Sequence, residues 1–68
     1  MDFGENLKAV RKARGITQIE LAIRLGLETT TQVFHWEHGD YQPTLYSILR
    51  LCEALDCTPN ELLGWAEK

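Results

Sequence analysis

The sequence predicts an all-α domain of five helices, and three observations carry that expectation. β-Branched residues nowhere alternate with polar ones, so no strand is expected. Apolar residues instead recur three and four apart, as one face of a helix requires. Helix-start and helix-stop residues then divide the chain into five short segments.

The first helix is expected from roughly Glu5 to Arg14, with Leu7 and Val10 inward and Gly15 as its stop. Asp2 and Glu5 supply its cap. Thr17-Gln18-Ile19-Glu20 reads as a capping box: the Thr17 hydroxyl accepts from the Glu20 amide and the Glu20 carboxylate reaches back. The second helix follows to Leu25, with Leu21, Ala22 and Leu25 inward, and Gly26 closes it in the left-handed conformation. Thr29-Thr30-Thr31-Gln32 offers another box, capped by Thr29, for a third helix running to about His38 and stopped by Gly39. Thr44 caps the fourth helix, which carries Leu45, Ile48, Leu49, Cys52 and Leu55. Thr58-Pro59-Asn60-Glu61 combines a capping box with proline in the first turn and opens a short fifth helix with Leu62 and Leu63. Two short helices joined by a glycine turn make a helix-turn-helix. A generic five-helix interaction bundle would need no particular residues at the caps.

Residues 1–68 form one domain on length alone. At about 0.1 kcal/mol per residue, such a fold is worth roughly 7 kcal/mol. So small a core leaves no room for a second lobe or a ligand-sensing module, and a multi-step enzyme is not expected. The charged fraction of 25% is that of a folded protein. The net charge is −3, whereas nucleic-acid-binding domains are usually basic. Cys52 and Cys57, five apart on a helix, are expected to face different sides and to stay reduced, which points to the cytoplasm. No apolar run is long enough for a membrane span, and Met1-Asp2-Phe3 lacks a basic leader. The expectation is a complete cytosolic protein without membrane contact.

The segment from Val10-Arg11 through Gly15-Ile16-Thr17-Gln18-Ile19-Glu20-Leu21-Ala22 resembles the first half of the Cro/repressor-type helix-turn-helix family, also called Xre-like or lambda-repressor-like. Val33-Phe34-His35-Trp36-Glu37-His38-Gly39, with Pro43-Thr44-Leu45, resembles that family's third helix and following loop. Leu55-Asp56-Cys57-Thr58-Pro59-Asn60-Glu61-Leu62-Leu63 resembles its closing helix. The resemblance spans about residues 5–63 and departs from the family pattern twice. Leu27-Glu28 includes one extra residue between the turn glycine and the third helix. Residues 25–49 hold Glu28, Glu37 and Asp40 but no Lys or Arg.

The resemblance implies sequence-specific binding of a duplex DNA operator by a homodimer acting as a transcriptional repressor. Two alternatives stand beside it: the antitoxin of a toxin–antitoxin pair, and a protein-interaction module that kept the fold and lost DNA binding. On the third helix, Val33 and Trp36 are the residues a core would claim, which leaves Thr31, Phe34, His35 and His38 on the opposite face. With Thr30 at the helix start, Thr30, Thr31, Phe34 and His35 are the expected base-reading residues. Gln18 resembles a family residue that holds a backbone phosphate. Arg14, Thr29 and Thr44 complete the expected phosphate set, helped by amides at helix starts. Arg11 and Glu37 match a pair that forms an internal salt bridge in the family. Leu62 and Trp65 are the expected dimer contacts, with Ile19 and Ile23 as a second exposed apolar pair. His35, His38, Cys52 and Cys57 fit no standard zinc spacing, and Ser47 has no catalytic company, so neither metal, cofactor nor catalysis is expected.

Overall fold

The computed structural model describes residues 2–64. Its five helices are α1 (Phe3–Ala13), α2 (Gln18–Arg24), α3 (Thr31–His38), α4 (Leu45–Leu55) and α5 (Pro59–Leu63). Among the described residues there is no strand. No described helix is long and apolar enough to cross a membrane.

Four of the helices start on a side chain that accepts from their first turn. Asp2 Oδ1 accepts from Glu5 N at 3.2 Å, and Thr44 Oγ1 from Ser47 N at 3.0 Å. Thr17 with Glu20, and Thr58 with Glu61, form complete capping boxes. The α3 start corrects the sequence expectation. Thr30 is already in the right-handed region (φ −84°, ψ 0°), so it is the N-cap, and its side chain makes no capping bond. The Thr29 hydroxyl reaches only two residues ahead, accepting from Thr31 N at 3.3 Å. Thr29 therefore closes a turn rather than capping a helix. The turn before it is a Schellman stop: Gly26 has φ +76°, and Leu27 N donates to Ala22 O at 2.9 Å.

Leu7, Leu21, Val33, Leu51, Leu55 and Leu62 are fully buried, with Ile16, Ala22, Leu25, Trp36 and Cys52 around them. A buried side chain of this size contributes roughly 1.5–3 kcal/mol. Every helix thus supplies the core. On α4 the inward face is Leu51, Cys52 and Leu55, with Ile48 half-buried, while Leu45 and Leu49 point outward. Leu62 is inside one copy of the chain, so it cannot form the dimer contact expected of it; the pull of the core won over surface display. Trp65 lies outside the described residues.

Three devices join the helices. The first is Arg11, which is buried in α1 and grips Glu37 of α3 with both ends of its fork: Nε to Oε2 at 2.6 Å and Nη2 to Oε1 at 3.1 Å. Its remaining Nη1 donates to Ile16 O at 2.9 Å. The second is a clamp on the C-terminal end of α4. Arg24 Nη1 donates to Ala54 O at 2.8 Å, Arg14 Nε to Leu55 O at 2.9 Å and Arg14 Nη2 to Asp56 O at 2.9 Å. Arg14, expected to hold DNA phosphate, is instead drawn to the carbonyl-rich, electronegative end of a helix. In the reverse direction, Arg50 Nη2 of α4 donates to Leu25 O at the end of α2, at 3.2 Å. The third device is the absence of a side chain. A Cβ at Gly4 would stand 2.6 Å from Glu37 O and 2.7 Å from Trp36 O, so α1 touches the backbone of α3 directly.

One further expectation is corrected at the end of α4. Asp56 adopts a left-handed conformation (φ 53°), which turns the chain back before Cys57. Cys57 N then donates to Cys52 O at 3.1 Å, and both cysteines lie against the core on one side. Continuous helix would have separated them.

Three outcomes follow for stability. Gly4→Ala, which in an open helix gains about 1 kcal/mol, is expected to cost about 1–3 kcal/mol here. A melting temperature equal to or above wild type would refute the direct backbone contact. Arg11→Ala strands a buried Glu37 and is expected to cost about 3–5 kcal/mol; exposed Lys12→Ala is expected to change stability by no more than about 0.5 kcal/mol. Equal melting temperatures for the two variants would remove the ion pair as a fastening. Glu20 and Glu61 have pKa values held below the ordinary 4.5, chiefly by the backbone N–H of Thr17 and of Thr58 respectively. Their capping contribution is therefore present above the ordinary value and is lost as pH falls through the lowered one. The stability gap between wild type and Glu20→Gln is expected to narrow as pH falls below the ordinary value of 4.5.

Candidate nucleic-acid interface

Short α3 presents two unlike faces. Val33 and Trp36 are buried, while Thr31, Phe34 and His38 are exposed and His35 is half-buried. Phe34 is 41% exposed although a core residue of its size is normally covered. It stacks on His38 at 4.2 Å between ring centroids and meets His35 edge-on at 5.4 Å. His35 in turn stacks on Tyr41 at 4.6 Å. These rings make a braced, flat-sided ridge along the exposed face of the helix.

His35 Nδ1 lies 2.8 Å from Asp40 Oδ2. The carboxylate only accepts, so Nδ1 carries a proton and donates. Nε2 is then an acceptor while the ring is neutral. An acceptor suits the exocyclic amino groups of adenine or cytosine in a major groove. The Asp40 contact thereby selects one hydrogen-bonding role for the neutral ring.

Thr30 is half-buried at the N-cap, and Thr31 is exposed in the first turn. Thr44 has its hydroxyl occupied on both sides, accepting from Ser47 N and donating to Ser47 Oγ, each at 3.0 Å. An anion at the start of α4 would therefore meet backbone amides rather than the Thr44 hydroxyl. Gln18 Nε2 donates to Glu37 Oε1 at 3.1 Å. The buried ion pair thereby fixes a side chain that reaches from α2 to the surface beside α3. Arg14 donates to the carbonyls at the end of α4.

Lys8 is one of the basic residues of the stretch 1–24, among which Arg14 is the expected phosphate partner. With Gln18, Phe34 and His38, Lys8 lines an open cleft of about 500 Å³ between α1 and α3, which Glu5 and Glu37 also border. Its spacing from Arg11, three residues along one helix, was the available signal for this placement, because such pairs share a face. Lys8 and Lys12 are exposed and form no ion pair with any described residue. All the arginines are engaged within the fold. The available positive charge beside the ridge is therefore lysine charge on α1. Among the described residues, no three metal-ligating side chains converge.

Residues 7–62 match the family described as Helix-turn-helix. Repressor protein C2 of Salmonella phage P22 is 33% identical over 61 residues, covering 90% of this chain and 28% of that protein. The cryptic phage CTXphi transcriptional repressor RstR of Vibrio cholerae is 33% identical over 67 residues, covering 97% of this chain and 59% of that protein. The chain thus spans less than two thirds of the length of either relative. The crystal structure of the restriction-modification controller protein C.AhdI from Aeromonas hydrophila superposes with a TM-score of 0.82 at 39% identity, covering 90% of this chain and 91% of that one. Two short helices about a glycine turn, three flanking helices and a family match over most of the length lead to one conclusion: the chain belongs to the Xre-like helix-turn-helix family.

Proposed function

We propose that this protein is a transcriptional regulator that reads duplex DNA, acting as a repressor in the form of a homodimer. The observation that carries the reading is the exposed ridge of α3. A partly exposed phenylalanine braced by two histidines has little use on a merely solvated face. In a major groove, Phe34 and the Thr31 methyl pack against thymine methyl groups, and His35 Nε2 accepts from an amino group. Thr30 stands at the end of the helix nearest the bases. Lys8 and Gln18 hold phosphate on one side of the ridge, and amides at the start of α4 serve the other. The relatives that bear repressor and controller names support the same reading.

Dimerisation follows from the size of the reading element. One eight-residue helix offers too few side chains for a useful site. Two copies would address half-sites about 34 Å apart. With Leu62 inside the core, exposed apolar residues such as Ile19, Ile23, Leu45 and Leu49 replace it as candidates for the contact. The acidic stretch 25–49 favours the second reading, an interaction module that no longer binds DNA.

Enrichment from a random duplex pool, followed by anisotropy titration, separates the two. A selected sequence with affinity well above random duplex is expected; no binding at low salt would leave the interaction module standing. Two charged phosphate contacts per subunit give about four per dimer and a log–log salt slope near −4. Lys8→Gln is expected to make the slope shallower by about 2 per dimer without changing the preferred sequence. Phe34→Ala is expected to weaken discrimination and leave the slope as it was. A slope near −10 in the wild type would mean that cations other than Lys8 and Lys12 reach the DNA.

A further inference from the structure

We propose that Cys52 and Cys57 form a redox-modifiable dithiol, which a low-molecular-weight disulfide such as glutathione disulfide closes into an intramolecular disulfide. This site is separate from the α3 ridge and does not rest on the DNA-binding reading.

The geometry is that of a helix stop. Asp56 in the left-handed region folds the chain back, and the Cys57 N–H to Cys52 O bond of 3.1 Å brings the two residues side by side. In this kind of stop the residues at the two ends of the six-residue turn normally make an apolar contact. Here both are cysteines, and the thiols are near enough to perturb each other's ionisation. Cys52 belongs to the core cluster and Cys57 packs on it while remaining partly open. The two are thus graded in access, with Cys57 the outer thiol. Around them stand Arg14 and Glu61, which face Cys57, and Glu61 also faces Cys52. Arg14 and Arg24 fasten the carbonyls of residues 54–56 in the same turn. Closing the dithiol therefore acts on the joint that ties α4 to α1 and α2.

The reaction balances as two exchanges. Cys57 gives its proton to solvent, and its sulfur attacks one sulfur of glutathione disulfide, expelling a glutathione thiolate. Cys52 then gives up its proton and attacks Cys57 Sγ, expelling the second glutathione. The protein pair loses two electrons, and one glutathione disulfide becomes two glutathiones. Burial pushes the Cys57 thiol up to about 11 and the Cys52 thiol above its ordinary value of 9.0. Thiolate is scarce at neutral pH, so closure is slow there and speeds up as pH rises.

The test equilibrates the full chain in glutathione buffers, native and in urea, then blocks free thiols by alkylation and measures intact mass. In the native state the expected product is a monomer lighter by two hydrogens, with no alkyl or glutathione adduct. It should form at a glutathione ratio roughly tenfold more reducing than in the unfolded chain. The native closure rate should rise roughly tenfold per pH unit between pH 7 and pH 9. Cys57→Ser should leave Cys52 fully alkylatable. A native product that is only a mixed disulfide or an interchain dimer would overturn the proposal. So would closure that is no more favourable in the native than in the unfolded chain.

Discussion

Arg11 of α1 and its partner Glu37 of α3 have their charged side chains inside the fold, and the neighbours of Arg11 account for its presence there. A buried guanidinium is tolerated only when its donors are matched. Glu37 takes two of them and the Ile16 carbonyl a third. These partners come from α3 and from the turn that leads into α2. One side chain of α1 thus sets the angle between the two helices of the motif. Gln18 Nε2 then donates to Glu37 Oε1, the oxygen that also accepts from Arg11 Nη2, and carries the arrangement to the surface. The ion pair side chains are only 9% and 4% exposed, so added salt screens them little.

For an acidic protein, reading DNA as proposed would require its few cations to be placed with care. The arginines here are structural without exception: one inside, two on the end of α4, one on the end of α2. Their planar forks suit paired carbonyls and carboxylates. The lysines of α1, being point charges on flexible stems, remain at the surface. Such a division leaves the exposed face of α3 neutral or acidic and, in the proposed function, would give recognition to shape, methyl contact and a few directed hydrogen bonds. It also lowers the attraction for DNA of arbitrary sequence.

Much of this architecture was legible in the residues. Threonines and acids three apart fix α2 and α5 locally, and glycines mark the stops, because capping is a contact between near neighbours in the chain. The face of α3 was legible too, since Val33 and Trp36 claim one side. What could not be read were the long side-chain reaches. Arg14 finds carbonyls 41 and 42 residues away, and no local pattern announces that. Thr29 misled because Thr30 enters the right-handed region one residue early. Leu62 lies on a helix too short to display periodicity, so its inward side was hidden. The cysteines were judged as if the helix continued, and a single left-handed residue placed them together.

The bare contact at Gly4 has a practical side. Asp2 and Phe3, just ahead of it, line the same cleft as Gly39 and Tyr41, at the exit of the reading helix. Nothing but hydrogen separates the first turn of α1 from the carbonyls of Trp36 and Glu37. A bulky group carried on the side chain of Asp2 would therefore crowd the end of α3. Labels intended to leave recognition unperturbed belong away from this cleft.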